Sequence, residues 1–194
     1  MKILGIPGSL RKSSYNRALL NAAADLAQQS FEIEIFDIRD IPAYDQDSEE
    51  AGFPQAAVEF KKAISNSDGL LFSTPEYNYS IPGVLKNAID WASRPASCSP
   101  LNMKPIAIMG GSAGMGGTIR SQLHLRQVAL FTNMIDMKKP EILVSKIQDK
   151  FDKDLNLTDD DLKLHLKKFL LSFEKWISIF KNDHISKKYK SCLK

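Results

Sequence analysis

Short apolar runs alternate along this chain with longer segments whose apolar residues recur at helical spacing. Most of the short runs are almost continuously apolar, and one alternates polar with apolar residues. Runs of this length are typical of strands, and the continuous ones are typical of strands buried on both faces. We therefore predict strands at Lys2–Ile6, Glu32–Phe36, Gly69–Ser73, Pro105–Met109 and Glu141–Ser145.

Helices are predicted between the strands and after the last one. They are expected from Ser14 onward and over Gln55–Asn66, Pro82–Trp91 and Thr118–Asn133. A last helix follows Thr158-Asp-Asp-Asp161, a capping-box pattern with acidic residues where the helix dipole favours negative charge. The segments 40–54 and 93–104 are rich in proline and polar residues, and we predict loops there.

The alternation of strands and helices indicates an α/β fold with a parallel sheet covered on both faces. We predict a flavodoxin-like three-layer sandwich whose five-stranded parallel sheet has the order 2-1-3-4-5. Residues 1–182 are expected to form one domain, and the lysine-rich residues 183–194 a flexible basic tail. Ligands of such sheets bind beyond the carboxyl ends of the strands, where the strand order reverses. That rule selects the loops after the first, third and fourth strands.

Composition and charge exclude several other classes of protein. The 194 residues include 26 basic and 23 acidic side chains, and a net charge of +3 is too small to indicate binding to nucleic acid or a membrane surface. No apolar run approaches the roughly 20 residues that span a bilayer. Cys98 and Cys192 have neither disulfide-framework nor zinc-site spacing, so we predict a reducing compartment, the cytoplasm.

The first loop, Gly8–Asn16, combines hydroxyls, a cation and the start of a helix. Serine side chains, the Arg11 guanidinium and the unpaired N–H groups of a helix N-terminus together favour a dianionic phosphate. Neither the P-loop pattern nor the dinucleotide pattern G-x-G-x-x-G occurs, so a single terminal phosphate is the better fit. The alternative is a serine-rich helix cap beside a surface arginine.

The second loop reads PEYNYSIPG and joins a buried strand to a helix. Pro75 ends the strand, and Pro82 suits the first turn of the helix. The backbone of Glu76–Ser80 therefore lies at the sheet edge, where it could bind the polar edge of a flat heterocycle. Tyr77 or Tyr79 offers a ring to pack beside that heterocycle. The alternative is that these tyrosines only cover the end of the sheet.

The third loop, Gly110–Gly117, has five glycines in eight residues. Glycine lets the backbone approach a ligand closely and adopt positive φ, and Ser112 adds a hydroxyl. A loose, flexible loop would show the same composition. Three unusual loops at the three positions that the fold selects make coincidence a poor explanation.

The first two loops carry motifs of a known family. G-S-L-R-K-x-S-x-N followed by P-E-Y-N-Y-S-x-P-G-x-L-K-N-A-I-D-W resembles the NADPH-dependent FMN reductase family, and within it the quinone/chromate reductase branch. The likeness covers most of residues 3–143. The resemblance implies that the FMN phosphate is surrounded by Ser9, Arg11, Ser13, Ser14, Tyr15 and Asn16. It implies that the isoalloxazine is lined by Pro75, Glu76, Tyr77 and Asn78, with main-chain amides near N5 and O4. From the third loop, Ser112, Gly114 and Gly117 would approach the flavin.

Little else in the chain suggests catalytic side chains. The histidines are scattered, and there is no strong triad or metal cluster, so we predict no catalytic residue and no metal site. This is expected where the cofactor makes and breaks the bonds. We predict a ping-pong reductase with tightly bound FMN: NAD(P)H passes a hydride to the flavin, and a quinone, azo compound, nitro compound or chromate then takes two electrons.

One further expectation concerns the oligomeric state, and two alternatives to this prediction stay open. The resemblance implies a homodimer or homotetramer, and the 40–54 loop and the helix carrying His124 and Arg126 are candidate contacts. The competing class is a flavodoxin-like electron carrier that binds FMN without reacting with NAD(P)H. A flavin-free fold used as a binding module is the third possibility.

Overall fold

The structure is a computed structural model that describes residues 1–27 and 31–181. The strands are β1 Lys2–Pro7, β2 Glu32–Ile35, β3 Gly69–Ser73, β4 Pro105–Gly111, β5 Ile135–Asp136 and β6 Ile142–Val144. The helices are α1 Tyr15–Leu26, α2 Gln46–Ala51, α3 Gln55–Asn66, α4 Gly83–Ala92, α5 Ile119–Phe131 and α6 Asp160–Lys181. The predicted basic tail lies outside the described residues.

The strands form a parallel sheet in the order β2-β1-β3-β4-β5, which confirms the predicted order 2-1-3-4-5. The fifth position differs from the prediction, because two short strands share it. β5 pairs with the start of β4, and β6 pairs with the end of β4. The chain between them contains Pro140, which has no N–H to give to a sheet ladder. The predicted strand Glu141–Ser145 corresponds to β6 alone.

Helices cover both faces of the sheet, and successive residues of each central strand point to opposite faces. In β3, Leu70 and Phe72 pack into one core with α3, α4 and α5, whereas Leu71 packs into the other core with α1 and α6. In β4, Ile106 and Ile108 likewise face the first core, and alternate residues face the second. A strand with two buried faces needs apolar residues at every position, which explains the continuous apolar runs.

The 40–54 segment is not wholly a loop, since it contains the short helix α2. The Asp45 carboxylate caps α2 by accepting a hydrogen bond from the Asp47 N–H. None of the six residues of α2 is buried, so the helix leaves no apolar periodicity in the sequence.

The chain before α2 is held against α4 by two side chains of the family motif. The Asn87 side chain accepts a hydrogen bond from the Tyr44 N–H at 2.7 Å and donates one to the Pro42 carbonyl at 2.8 Å. The Trp91 ring N–H donates to the same carbonyl at 2.9 Å. Asn87 and Trp91 therefore serve the fold of this segment.

The last helix begins one residue later than its capping-box pattern indicates. The Asp159 carboxylate, and not the Thr158 hydroxyl, accepts the N–H of Leu162 at 2.8 Å, while the Thr158 hydroxyl donates to the Lys150 carbonyl. A hydrogen bond from the Lys150 ammonium and the bond from Leu162 lower the pKa of Asp159. Among the helices described, none is both long enough and apolar enough to cross a membrane.

Candidate functional site

The three selected loops meet at one edge of the sheet, beyond the carboxyl ends of β1, β3 and β4. Hydrogen bonds join the strand ends, from the Gly8 N–H to the Ser73 carbonyl at 2.8 Å and from the Thr74 N–H to the Met109 carbonyl at 3.0 Å. A side chain at Gly8 would come within 3.2 Å of the Thr74 Cα, and one at Gly110 within 2.1 Å of the Thr74 carbonyl oxygen. These two glycines let the first and third loops close around Thr74.

The first loop leads into α1 with hydrogen-bond donors that no described residue uses. Ser14 caps the helix, because its hydroxyl accepts the Arg17 N–H at 3.3 Å. Within residues 1–27 and 31–181, no hydrogen bond uses the N–H groups of Tyr15 and Asn16. Ser9 and Ser14 are buried, and the Ser9 hydroxyl accepts a hydrogen bond from the Arg11 N–H. An anion at this helix start would meet two free N–H groups and the positive end of the dipole.

Positive charge collects around the same loop. Asp37 pairs with Arg17 at 2.6 Å and lies 3.9 Å from Arg39, whose guanidinium also donates to the Leu10 carbonyl. The ion pairs found among the described residues do not include Arg11, which is exposed beside the helix start, as is Ser13. The loop therefore offers an unneutralised cation and a hydroxyl next to the free N–H groups.

Asn16 has a different environment from the other predicted phosphate contacts. Its side-chain amide donates to the Gly111 carbonyl at 2.9 Å and accepts the Gly111 N–H at 3.0 Å. The Ser73 hydroxyl donates to the Asn16 carbonyl at 2.7 Å. The side chain thus joins the start of α1 to the end of β4, and its main-chain N–H is the group that remains for a ligand.

The second loop contains a tight turn with unusual backbone angles. Tyr77 and Ser80 exchange two main-chain hydrogen bonds, and Asn78 and Tyr79 between them have φ of 50° and 64°. Positive φ at both central positions is typical of a type I′ turn. It suits asparagine but strains tyrosine. The Arg120 guanidinium lies over the Tyr79 ring, 3.9 Å from its centre, in a cation–π contact. Tyr77 and Tyr79 remain 46% and 65% exposed.

Glu76 uses its side chain to cap α5. One oxygen of its carboxylate accepts the N–H groups of Arg120 at 2.9 Å and Ser121 at 3.2 Å. The other oxygen accepts a hydrogen bond from the Arg120 guanidinium at 3.3 Å. Thr118, which precedes α5, makes no side-chain cap bond. The second loop therefore supplies the cap of the helix that follows the third loop. The sequence motif marks Glu76 but does not reveal this partner.

The third loop is shorter than predicted, because Gly110 and Gly111 belong to β4. The Ser112 hydroxyl donates to the Gly117 carbonyl at 2.5 Å, and Gly117 has a φ of 57°. Gly114 is exposed, and its neighbourhood is open except for the Ser112 hydroxyl. The expected positive φ thus occurs at Gly117, while Gly114 leaves free space at the edge of the site.

The helix α5, a candidate subunit contact, carries two named side chains that differ in exposure. His124 is exposed, and its Nδ1 lies 3.0 Å from the Ser80 hydroxyl. Arg126 is largely buried and pairs with Asp136. Burial alone would raise the pKa of Asp136, but hydrogen bonds from Lys138 and Arg126 outweigh it and lower that pKa. Arg126 therefore stabilises the junction of α5 and β5 within the chain.

The donor set at this edge fits FMN. The first loop offers free N–H groups, hydroxyls and Arg11, which match a phosphate dianion. In the second loop, no described residue accepts the N–H of Glu76, so this donor remains for the polar edge of a ring. Exposed aromatic side chains at positions 77 and 79 supply flat apolar surface beside it. Serine, arginine and main-chain amides need no metal to bind such a molecule.

Comparisons with known proteins agree with this chemistry. The model of the family described as NADPH-dependent FMN reductase matches residues 1–149. An NAD(P)H-dependent FMN reductase of Pseudomonas aeruginosa is 47% identical over 177 residues, which cover 91% of this chain and 95% of that protein. A 2-hydroxy-1,4-benzoquinone reductase of a Burkholderia species is 41% identical over 177 residues, covering 91% and 96%. The solved structure of FerB, a flavoenzyme NAD(P)H:(acceptor) oxidoreductase from Paracoccus denitrificans, matches with a TM-score of 0.85 and 34% identity, covering 92% of this chain and 98% of FerB.

These matches confirm the flavodoxin-like fold and the class of enzyme. The family match extends across all three loops of the carboxyl edge and ends just after β6. It also confirms FMN as the cofactor and a nicotinamide nucleotide as the electron donor. The chain therefore belongs to the NADPH-dependent FMN reductase family.

Proposed function

We propose that this chain is an FMN-dependent NAD(P)H oxidoreductase that passes two electrons to quinones by a ping-pong mechanism. The observation that carries the proposal is the carboxyl edge of the sheet, where the described residues leave N–H groups free at the start of α1 and on the second loop and form no ion pair with Arg11. The names of the relatives from Pseudomonas and Burkholderia support the donor and the quinone acceptor.

Each loop has a distinct role in the proposal. Arg11, Ser13 and the N–H groups at the start of α1 bind the phosphate, and the buried hydroxyls of Ser9 and Ser14 shape that loop from beneath. The main chain of residues 75–78 lines the ring, and Ser112 with Gly114 borders it from the third loop. FMN bound there would supply the redox chemistry, in which a hydride is taken from the nicotinamide and two electrons pass to the acceptor.

The ping-pong order follows from the single set of carboxyl-edge loops among the described residues. The described residues form one sheet with one set of carboxyl-edge loops, so donor and acceptor would occupy the same surface in turn. Initial rates measured over a grid of NAD(P)H and quinone concentrations should give parallel double-reciprocal lines. Intersecting lines would refute the shared surface. Azo compounds, nitro compounds and chromate stay predicted acceptors for the same assay, and a cytoplasmic location stays a prediction.

Arg11→Ala tests the phosphate assignment. The exposed guanidinium should contribute a charge-assisted contact of about 1.5–3 kcal/mol, so the Kd for FMN should rise roughly 10- to 150-fold. Lys62→Ala is the control, because it removes an exposed cation from the second half of α3, which leads to the amino end of β3. Fluorescence titration of FMN measures both variants. Equal FMN affinity in Arg11→Ala and the unmutated protein would contradict the phosphate site.

The electron-carrier alternative predicts a different response to the donor. Stopped-flow mixing of the FMN-loaded protein with NADPH or NADH should bleach the flavin absorbance within a turnover time if the chain is a reductase. Bleaching that is much slower than any measured turnover would favour the carrier. A protein that takes up no FMN would refute both and favour the flavin-free binding module.

We also infer that the chain forms a homo-oligomer through the outer face of α5. Leu130 and Phe131 at the end of this helix are 83% and 93% exposed, and Leu123 is 55% exposed. A groove of about 820 Å³ lies between α4 and α5, lined by apolar and charged side chains that include Lys86 and Asp90. A face with exposed apolar residues and both signs of charge can pair with its own twofold copy.

Sedimentation velocity tests this surface. Phe131→Ser should weaken dimerisation at least tenfold, because burying a phenylalanine contributes about 1.5–3 kcal/mol. Leu171→Ser on α6 is the control, since Leu171 is 42% exposed on the opposite side of the sheet. A dimer that Phe131→Ser leaves intact would place the interface elsewhere, and further pairing of dimers would appear as a tetramer in the same experiment.

A further inference from the structure

The peptide group that opens the second loop is held by two buried hydroxyls. The Pro75 carbonyl accepts hydrogen bonds from the Ser121 hydroxyl at 2.9 Å and from the Thr74 hydroxyl at 2.9 Å. Thr74 and Ser121 are fully buried, and their hydroxyl oxygens lie 3.2 Å apart. A carbonyl oxygen has two lone pairs, so both are occupied and the orientation of this peptide is fixed.

The orientation of the Pro75 carbonyl also sets the direction of the Glu76 N–H. The two groups belong to one planar trans peptide, in which C=O and N–H point in opposite directions. The carbonyl points to Ser121 at the start of α5, so the N–H points away from α5. Among the residues that the structure describes, none accepts this N–H. The Glu76 carboxylate meanwhile holds the first turn of α5, which prevents the residue from turning as a whole.

We propose that Ser121 is a positioning residue for the flavin, which acts through the Pro75–Glu76 peptide to aim the Glu76 N–H at the ring. The inference rests on the proposed function, in which the second loop lines the flavin. A fixed N–H donor stabilises negative charge on a ligand better than a mobile one, because no reorganisation is needed when the charge develops. FMN gains negative charge on reduction, so loosening this donor should weaken the binding of reduced FMN more than that of oxidised FMN.

Ser121→Ala is the test, and the midpoint potential of the bound FMN is the readout. Losing one of the two hydroxyls should weaken binding of reduced FMN relative to oxidised FMN about tenfold, which corresponds to a midpoint potential about 30 mV more negative. Ser67→Ala is the matched control. Its hydroxyl is also buried and donates to a carbonyl, that of Ile64, at 2.8 Å, but it lies at the amino end of β3. Ser67→Ala should lower the melting temperature about as much as Ser121→Ala does and leave the midpoint potential of FMN unchanged.

Thr74→Val provides a second variant, because it removes the other hydroxyl and nearly keeps the shape of the side chain. It should also make the midpoint potential more negative, and it tests the inference by itself if Ser121→Ala does not fold. An unchanged potential in the folded variants, or an equal shift in Ser67→Ala, would overturn the inference. That result differs from failure of the proposed function, in which the unmutated protein would bind no FMN or would fail to oxidise NAD(P)H.

Discussion

Replacing Gly110 by alanine should disrupt the packing that brings the three loops together. The new Cβ would lie 2.1 Å from the Thr74 carbonyl oxygen and 2.8 Å from the Thr118 hydroxyl. The carbonyl belongs to the backbone at the end of β3, so it cannot rotate away as a flexible side chain could. The carbon and the oxygen would have to separate by about 0.9 Å to reach 3.0 Å, which forces β3 and β4 apart.

The expected loss of unfolding free energy follows from the rigid backbone around Gly110. Overpacking a well-packed core costs about 1–3 kcal/mol, and a clash against backbone belongs in the upper half of that range. We therefore expect Gly110→Ala to lower the free energy of unfolding by about 2–3 kcal/mol. Gly83→Ala is the matched control, since its Cβ would meet nothing within 4 Å. It lies at the first position of α4, where alanine should be neutral or add up to about 1 kcal/mol.

Urea unfolding of both variants, followed by circular dichroism at one saturating FMN concentration and corrected for the FMN Kd of each variant, measures this difference. The slope of the transition should stay constant, so that a shift in its midpoint reports stability. The Kd for FMN should also rise in Gly110→Ala, because the displaced Thr74 carbonyl directly precedes the second loop. The reasoning would be refuted by a Gly110→Ala variant whose unfolding free energy lies within about 0.5 kcal/mol of the unmutated value.

Two further predictions concern other parts of the fold. Asn87→Ala should lower the free energy of unfolding in urea by about 1–3 kcal/mol, because it leaves the Tyr44 N–H without its partner. It should also speed proteolysis within residues 40–54, and an unchanged cleavage rate there would contradict the role of Asn87 in holding this segment. Asp159→Asn should keep the cap of α6 but lose its charge. The pKa of Asp159 is lowered in the folded chain, so its contribution is complete above about pH 4 and disappears as the pH falls further. Urea midpoints from pH 6 to 3 should therefore fall less steeply in Asp159→Asn, and parallel curves would contradict the assignment.

The parts of the fold that the sequence predicts well are those with a strong apolar signal. β3 and α3 have the predicted bounds, and the sheet has the predicted order. Elements with little buried apolar surface were missed or misplaced, as for α2 and the divided fifth strand. Hydrophobic periodicity reports burial, and a short exposed helix or a two-residue strand buries too little to produce it.

The candidate site shows a similar division. Parallel topology predicts that the three loops meet at one edge, and the structure has them there. It cannot predict which side chains face each other across that edge, because Asn16 and Gly111, or Glu76 and Arg120, are far apart in sequence. Some polar residues of the loops that are predicted ligand contacts therefore also join one loop to another. Ser121 carries no sequence signal of its role at all.

This division explains how main-chain donors can make a site specific for its cofactor. The side chains of Asn16 and Glu76 bind neighbouring backbone, and the groups they leave free are peptide N–H donors whose positions depend on the fold. Such donors are as rigid as the strands and helices that hold them, so buried residues such as Gly110 and Ser121 determine their geometry. Substitutions at the exposed Tyr77 and Tyr79 should change access to the ring, whereas substitutions at the buried positions should change its affinity and potential.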